Sequence, residues 1–248
     1  MKKISIIIAT YNAGNVLQRC LDSIRPQKLD EIELLIIDGN SKDDTMDIIN
    51  KNSDIVDYWV SEPDRGIYDA WNKGIKAATG DWIQFVGADD QLLKGAITTY
   101  LAFLSTDNVS PYDIISAKSY LVNSKDEIIA YFGKPYSWNE FRRFMVFSHG
   151  TTLHSKQFIK RNGFFDINYR ICGDYEYFMR AGRKLKAAYI DKCLLRFQAD
   201  GASTKVDAVK ETYQIRKRYN CVANFENYYL YLRGLLYVYY HKLIGDKQ

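Results

Sequence analysis

The chain has 248 residues, of which 47% are hydrophobic and 26% charged, with 15 Gly and 4 Pro. This excludes a disordered or collagen-like chain and leaves room for one large folded domain or two small ones. A net charge of +4 with no clustered Lys/Arg stripe argues against nucleic acid as a partner and weakly favours an anionic substrate or a membrane surface. Cys20, Cys172, Cys193 and Cys221 form no CxxC pair and have no metal-type spacing, so they read as reduced thiols of a cytoplasmic protein.

Met1-Lys2-Lys3 leads into the apolar run Ile4–Ala9, too short for a signal peptide and rich enough in β-branched residues for a strand covered on both faces. After the turn Thr10–Gly14, the residues Val16, Leu17, Cys20, Leu21 and Ile24 recur at helical spacing, and Pro26 marks a stop. Ile32–Ile37 repeats the strand signal. It ends at Asp38-Gly39-Asn40, after which Ser41, with Asp44 three residues on, suits the cap of a helix running through Ile49. A third strand is expected over Ile55–Val60. A helix with Ile67, Ala70, Trp71, Gly74, Ile75 and Ala78 on one face follows, with Gly80 as its C-cap, and then a fourth strand, Trp82–Val86.

Strands alternating with helices imply βαβ units and a parallel sheet whose ligand site lies at the strand C-terminal ends. Thr10–Asn12, Asp38–Ser41, Glu62–Asp69 and Ala88–Asp90 each follow a strand, so four separated polar stretches are expected at one pocket. Beyond Gly95 the pattern predicts a helix near Ala96–Leu104, a strand near Asp113–Ala117 and a hairpin around Tyr120–Tyr131. A helix over Ser155–Asn162, another over Tyr175–Leu185 with Gly182 inside it, and a strand over Lys186–Asp191 come next. Val206–Ile244 reads as one or two Tyr-rich helices. No run of about 18 uncharged apolar residues occurs, so no bilayer-spanning helix is expected.

Neither GxGxxG after the first strand nor GxxxxGK[ST] occurs, which removes the dinucleotide and P-loop readings. Asp89-Asp90 directly follows the fourth strand as an adjacent carboxylate pair. Such hard oxygen donors suit Mg²⁺ or Mn²⁺ bridging a diphosphate, although a solvated turn has the same composition. Asp38–Ser41 offers acceptors to a base or ribose and reads equally as a turn with an N-cap. His149 and His154 are five apart without a third ligand, which argues against zinc.

Four segments together resemble the family 2 inverting glycosyltransferases of the GT-A fold. They are Ser5–Asn12 (SIIIATYN), Ile37–Thr45 (IDGNSKDDT), Glu62–Gly74 (EPDRGIYDAWNKG) and Gly80–Asp90 (GDWIQFVGADD). The likeness resumes more loosely at Phe147–Gly150, Gly163–Asp166 and Cys172–Arg180. It implies a mostly parallel central sheet flanked by helices, an α/β fold of the nucleotide-diphospho-sugar transferase type. Within it, residues 1–95 would bind the donor, 96–205 the acceptor, and 206–248 would form a helical appendage.

By the same resemblance, Thr10, Tyr11, Asn12, Asp64, Arg65, Asp69 and Asp89 line the nucleotide-sugar site, and Asp38 accepts a hydrogen bond from the base, typically uracil. Asp90 meets a Mn²⁺ or Mg²⁺ ion, with Ala88 standing where a literal Asp-x-Asp places its first carboxylate. Asp174 matches the catalytic base, kept ionised by a helix N-terminus, with Glu176 as its rival, an acceptor contact or an Arg180 partner at helical spacing, and His149 lines the acceptor side. Arg196, Gln198, Gly201 and Ser203 fall where similar enzymes have a loop closing over the diphosphate.

The implied activity is metal-dependent hexosyl transfer, with no covalent intermediate required, from a nucleotide-diphosphate sugar such as a UDP-sugar to a saccharide or lipid-linked saccharide in surface-polysaccharide assembly. The rival readings are a non-catalytic sugar-nucleotide-binding protein and a sugar-nucleotide nucleotidyltransferase; the latter calls for a glycine-rich basic loop where Thr10-Tyr11-Asn12 stands. The Tyr-rich C-terminal helices suit either the inner face of the cytoplasmic membrane or packing on the catalytic domain. No feature of the sequence assigns an oligomeric state.

Overall fold

The computed structural model describes residues 3–106, 109, 111–123, 125–198 and 205–245. In chain order its first half contains β1 (Ile4–Thr10), α1 (Leu17–Ile24), β2 (Ile32–Asp38), α2 (Thr45–Lys51), β3 (Tyr58–Ser61), α3 (Ile67–Ala77), β4 (Trp82–Gly87), β5 (Gln91–Leu92) and α4 (Ala96–Leu104). Then come β6 (Ile114–Val122), β7 (Ile128–Phe132), α5 (Trp138–Phe141), β8 (Leu153–Ser155), α6 (Lys156–Asn162), α7 (Gly173–Ala181), β9 (Ala187–Gln198), α8 (Val206–Arg218) and α9 (Asn224–Gly245).

One sheet runs β3-β2-β1-β4-β8-β6-β9-β5, with β7 added beside β6. Its first four strands are mutually parallel, as continuous apolar runs without polar alternation require. The second half departs from a purely parallel sheet: β8 enters antiparallel between β4 and β6, and β5 lies antiparallel to β9. Period-two alternation distributes the strand side chains to two cores. Ile4, Ile6 and Ile8 face one with α1 and α4, whereas Ile7, Leu35 and Ile37 face the other with α3, α7 and α8.

Several element ends differ from the sequence reading for local reasons. Ser41 does not cap α2, because its hydroxyl and amide both bond Asp38; the helix begins at Thr45 instead. The third strand is confined to Tyr58–Ser61, with Ile55 buried in the turn before it. Gly80 lies beyond the end of α3, and its amide donates to Ser5 Oγ and to Glu33. Gly182, with φ +52°, terminates α7 rather than lying inside it. The 113–117 strand extends to Val122, and its partner across the hairpin pairs Tyr120 with Tyr131.

The last two helices differ in their setting. α8 enters the second core through Ala208 and Ile215, and its buried Arg216 bonds Asn227 of α9 and the Arg143 carbonyl. α9 presents Phe225, Tyr228, Tyr229, Leu232 and Leu236 outward. Among the described residues, no helix is long and apolar enough to cross a membrane.

Candidate functional site

The turns after β1, β2 and β3 meet at the C-terminal edge of the parallel strands. They enclose a cavity of about 780 Å³ with Thr10, Tyr11, Gly39, Asn40, Lys42, Asp64, Arg65 and Arg170 in its walls. Tyr11 is 68% exposed, a free aromatic face of the kind on which a planar base stacks. Its ring and the Asp64 carboxylate both crowd Gly39, where an added Cβ would lie 2.6 Å from Asp64 Oδ2 and 3.3 Å from the Tyr11 ring. A larger residue here would push the Asp64 carboxylate and the Tyr11 ring out of these positions.

The other predicted donor residues shape the cavity from behind. Asn12, at φ +49°, accepts the Lys42 amide on its side-chain oxygen at 2.9 Å and donates its own amide to Ser41 at 2.8 Å. Two strand-end turns are thereby tied together. Asp38 is fully buried and accepts from Thr10 Oγ1 at 2.9 Å, Ser61 Oγ at 2.6 Å, and the Ser41 amide and hydroxyl at 2.9 and 2.5 Å. Its carboxylate has about four acceptor sites, so a contact to a base requires one of these hydroxyls to turn away. Burial alone raises the Asp38 pKa, but these donors outweigh it and hold the group below the usual carboxylate range. Asp69, in the first turn of α3, accepts from the Arg65 amide and side chain, and so orients Arg65 rather than lining the cavity itself.

A second cavity, of about 630 Å³, holds Asp90, Ser148, His149 and Asp174 together. Asp90 closes a tight turn with Gly87, whose amide donates to Asp90 Oδ2 at 2.9 Å. Burial and then the neighbouring Asp89 charge lift the Asp90 carboxyl to about 7. A carboxyl that resists ionisation in this way beside a second acidic side chain favours a cation there. Among the described residues no three His, Cys, Asp or Glu side chains are placed to hold one metal ion by themselves. The donor set therefore fits an Mg²⁺- or Mn²⁺-type ion that takes one or two protein carboxylates and completes its shell with water and substrate oxygens.

Asp174 opens α7. Burial lifts its carboxyl to about 6 against the Tyr175 amide and the Tyr68 hydroxyl, which favour the charged form. The helix N-terminus thus does not hold it at an ordinary value, because desolvation is the larger effect; at neutral pH it remains a proton acceptor of useful strength. Tyr68 is itself buried, a neutral donor whose hydroxyl bonds the Ile171 carbonyl at 2.6 Å. His149 stacks on Phe85 at 5.5 Å between centroids, and its Nε2 is buried without a protein partner. Burial, then His154, holds its imidazole neutral.

Glu176 takes the Arg180 pairing that its spacing offers and not a place on the acceptor side. It lies two residues beyond Asp174 and so turns to another side of the helix. There it is buried, ion-paired to Arg180 at 3.2 Å and bonded by the Tyr219 hydroxyl, outside the cavity. Arg196 and Gln198, expected in a closing loop, are residues of β9, where Arg196 pairs with Asp126 at 3.2 Å; Gly201 and Ser203 lie outside the described residues. The sequence reading assigned no role to Lys42, Tyr68 or Arg170. The first two fall inside the recognised segments, whereas only the tertiary fold brings Arg170 to the donor cavity.

The family model for glycosyl transferase family 2 matches residues 5–168. A PGL/p-HBAD biosynthesis glycosyltransferase of Mycobacterium bovis (strain BCG / Pasteur 1173P2) is 44% identical over 93 residues, which is 36% of this chain and 36% of that protein. The Campylobacter jejuni GalNAc(5)-diNAcBac-PP-undecaprenol beta-1,3-glucosyltransferase is 31% identical over 105 residues, 41% of this chain and 34% of the relative. The matches thus span about a third of these relatives' length. Among solved structures, S. aureus TarS 1-349 in complex with UDP-GlcNAc superposes with a TM-score of 0.71 at 19% identity, covering 92% of this chain and 69% of that one. The Pyrobaculum calidifontis mannosyltransferase PcManGT, in complex with GDP-Man and Mn²⁺, gives 0.69 at 15% identity, covering 99% and 75%. At these identities the two structures establish a shared fold.

Proposed function

The chain belongs to glycosyl transferase family 2, and on that premise we propose that it is an inverting transferase moving a sugar from a UDP-sugar to a hydroxyl of a saccharide or lipid-linked saccharide. The observation that carries this reading is the gathering of Asp90, His149 and Asp174 in one cavity, which adjoins the donor cavity along the segment whose Arg170 lines the one and whose Ile171 and Cys172 line the other. The UDP-GlcNAc-bound relative supports the donor class, and the undecaprenol-linked relative supports the acceptor class.

In this reading Tyr11 stacks the base, and Lys42, Arg65 and Arg170 supply positive charge to the diphosphate. Asp174 takes the acceptor hydroxyl's proton as that oxygen bonds to the anomeric carbon and the carbon–phosphate oxygen bond breaks on the opposite face. One displacement inverts the anomeric centre and releases UDP. Asp90, with Asp89 beside it, would hold the divalent cation, whose chemistry when bound is to neutralise the leaving diphosphate. Neutral His149 offers a hydrogen-bonding nitrogen to the acceptor without adding charge beside Asp174. The free thiols suit a reducing cytoplasm, and the exposed aromatic face of α9 suits the membrane surface where lipid-linked acceptors reside.

Calorimetric titration with UDP, with and without Mn²⁺, tests the donor half. The reading expects Mn²⁺-dependent binding that Asp90→Ala removes. Binding of GDP or dTDP but not UDP would replace the donor class, and binding of no nucleotide under any metal condition would overturn the assignment.

A further inference from the structure

From α8, Glu211 reaches the segment that separates the two cavities. Its Oε1 accepts the Arg170 amide at 2.9 Å, and its Oε2 accepts the amides of Ile171 at 3.0 Å and Cys172 at 2.7 Å. Three successive backbone donors thus converge on one carboxylate, an anion nest filled by a side chain of the same molecule. The segment carries both halves of the site: Arg170 lines the donor cavity, while Ile171, Cys172 and Asp174 line the reaction cavity.

On its other side α3 holds the same segment. The Tyr68 hydroxyl bonds the Ile171 carbonyl at 2.6 Å, and the Tyr68 ring abuts Gly173, where an added Cβ would lie 2.7 Å away. The packing of α8 does not need Glu211, since Ala208 and Ile215 already bury the helix in the core. What the carboxylate supplies is the orientation of three amides, and through them of the first turn of α7. Displacing a reacting group by about 1 Å is enough to cost about 100-fold in rate.

We infer that Glu211 is a positioning residue for the transfer reaction, fixing the 170–172 segment so that Asp174 and Arg170 keep their places in the two cavities. The kinetic part of this inference rests on the proposed function; the structural part does not. Glu211 also acts on Asp174 as a negative neighbour that adds to the rise of its carboxyl. The other groups facing Asp174 are Tyr68 from α3 and Cys172 from the segment itself, with Asp90 and His149 lining the same cavity.

Hydrogen-exchange mass spectrometry on the full chain, without ligand, tests the clamp. In Glu211→Ala the amides of 170–172 are expected to exchange about tenfold faster or more, while β1, β2 and β4 keep their protection. With the best donor and acceptor pair of a UDP-sugar panel, kcat should fall about tenfold or more. Glu211→Gln preserves size and carries the same readouts should the alanine variant not fold. It should also move the acidic limb of kcat/KM to lower pH, because a negative charge near the base is gone. Unchanged exchange at 170–172 in the folded variants overturns the clamp. Faster exchange with kcat and the acidic limb unmoved overturns the positioning role. Should the wild-type chain transfer no sugar, the proposed function fails and exchange alone decides the clamp.

Discussion

The proposed function gives Asp174 and Asp90 different tasks in similar surroundings. Both are desolvated carboxylates with a negative neighbour, Glu211 for Asp174 and Asp89 for Asp90, but Asp174 is held by both the Tyr175 amide and the Tyr68 hydroxyl, and Asp90 by the Gly87 amide. A base with a pKa of about 6 must lose its proton to work, so kcat/KM is expected to fall as pH drops below about 6. Asp174→Asn should lower kcat about 100- to 10,000-fold, with UDP affinity unchanged; steady-state UDP release and calorimetry on the same protein check both parts. The sequence drew attention to Asp90 by its place after a strand and to Asp174 by the family resemblance, and the structure places both on one cavity. It could not reveal that Asp38 is saturated by four donors, since Ser61 and Thr10 reach it only through the register of three strands. Helical spacing did offer Arg180 as a partner for Glu176, whereas the Tyr219 hydroxyl reaches it only through the packing of the fold.

Strand N-terminal ends carry a second buried carboxylate with a purely structural task. Glu33 on β2 accepts from Ser5 on β1 and from the Thr79 and Gly80 amides that lead into β4, joining three strands below the site. Burial works to raise its pKa, but these bonds win and hold it below the ordinary glutamate value. A depressed native pKa means stability that is present above the unfolded value of about 4.3 and is lost as pH falls through the native one. Glu33→Gln is therefore expected to cost about 1–3 kcal/mol at pH 7. In urea melts its deficit should shrink as the pH is taken below about 4. At this scale the existence of β1–β4 and α1–α3 was readable from apolar runs, helical spacing and a capping signal, while ends such as that of α3 involve long-range bonds. Gly80 looked like a cap and serves instead as a donor to Glu33.

Across the whole molecule, four parallel strands place the donor turns, and the mixed second half brings β6–β9 and α7 round to the same edge. The antiparallel entry of β8 was not legible, because three residues between a turn and a helix carry no period. The C-terminal helices divide by burial. Ile215→Ala in α8 should cost about 2–5 kcal/mol, whereas Leu236→Ser on the outer face of α9 should stay within about 0.5 kcal/mol of the parent in the same melts. The central claim is that one folded unit joins a UDP-sugar cavity to a base at Asp174. UDP release from a panel of UDP-sugars, with saccharide and lipid-linked acceptors and Mn²⁺, compared between the parent chain and Asp174→Asn, tests it most directly. The account predicts acceptor-dependent release with an inverted anomeric product in the parent and a collapse of kcat in the variant at unchanged UDP affinity. Release at the parent rate from Asp174→Asn, or a product that retains the donor's anomeric configuration, would contradict it.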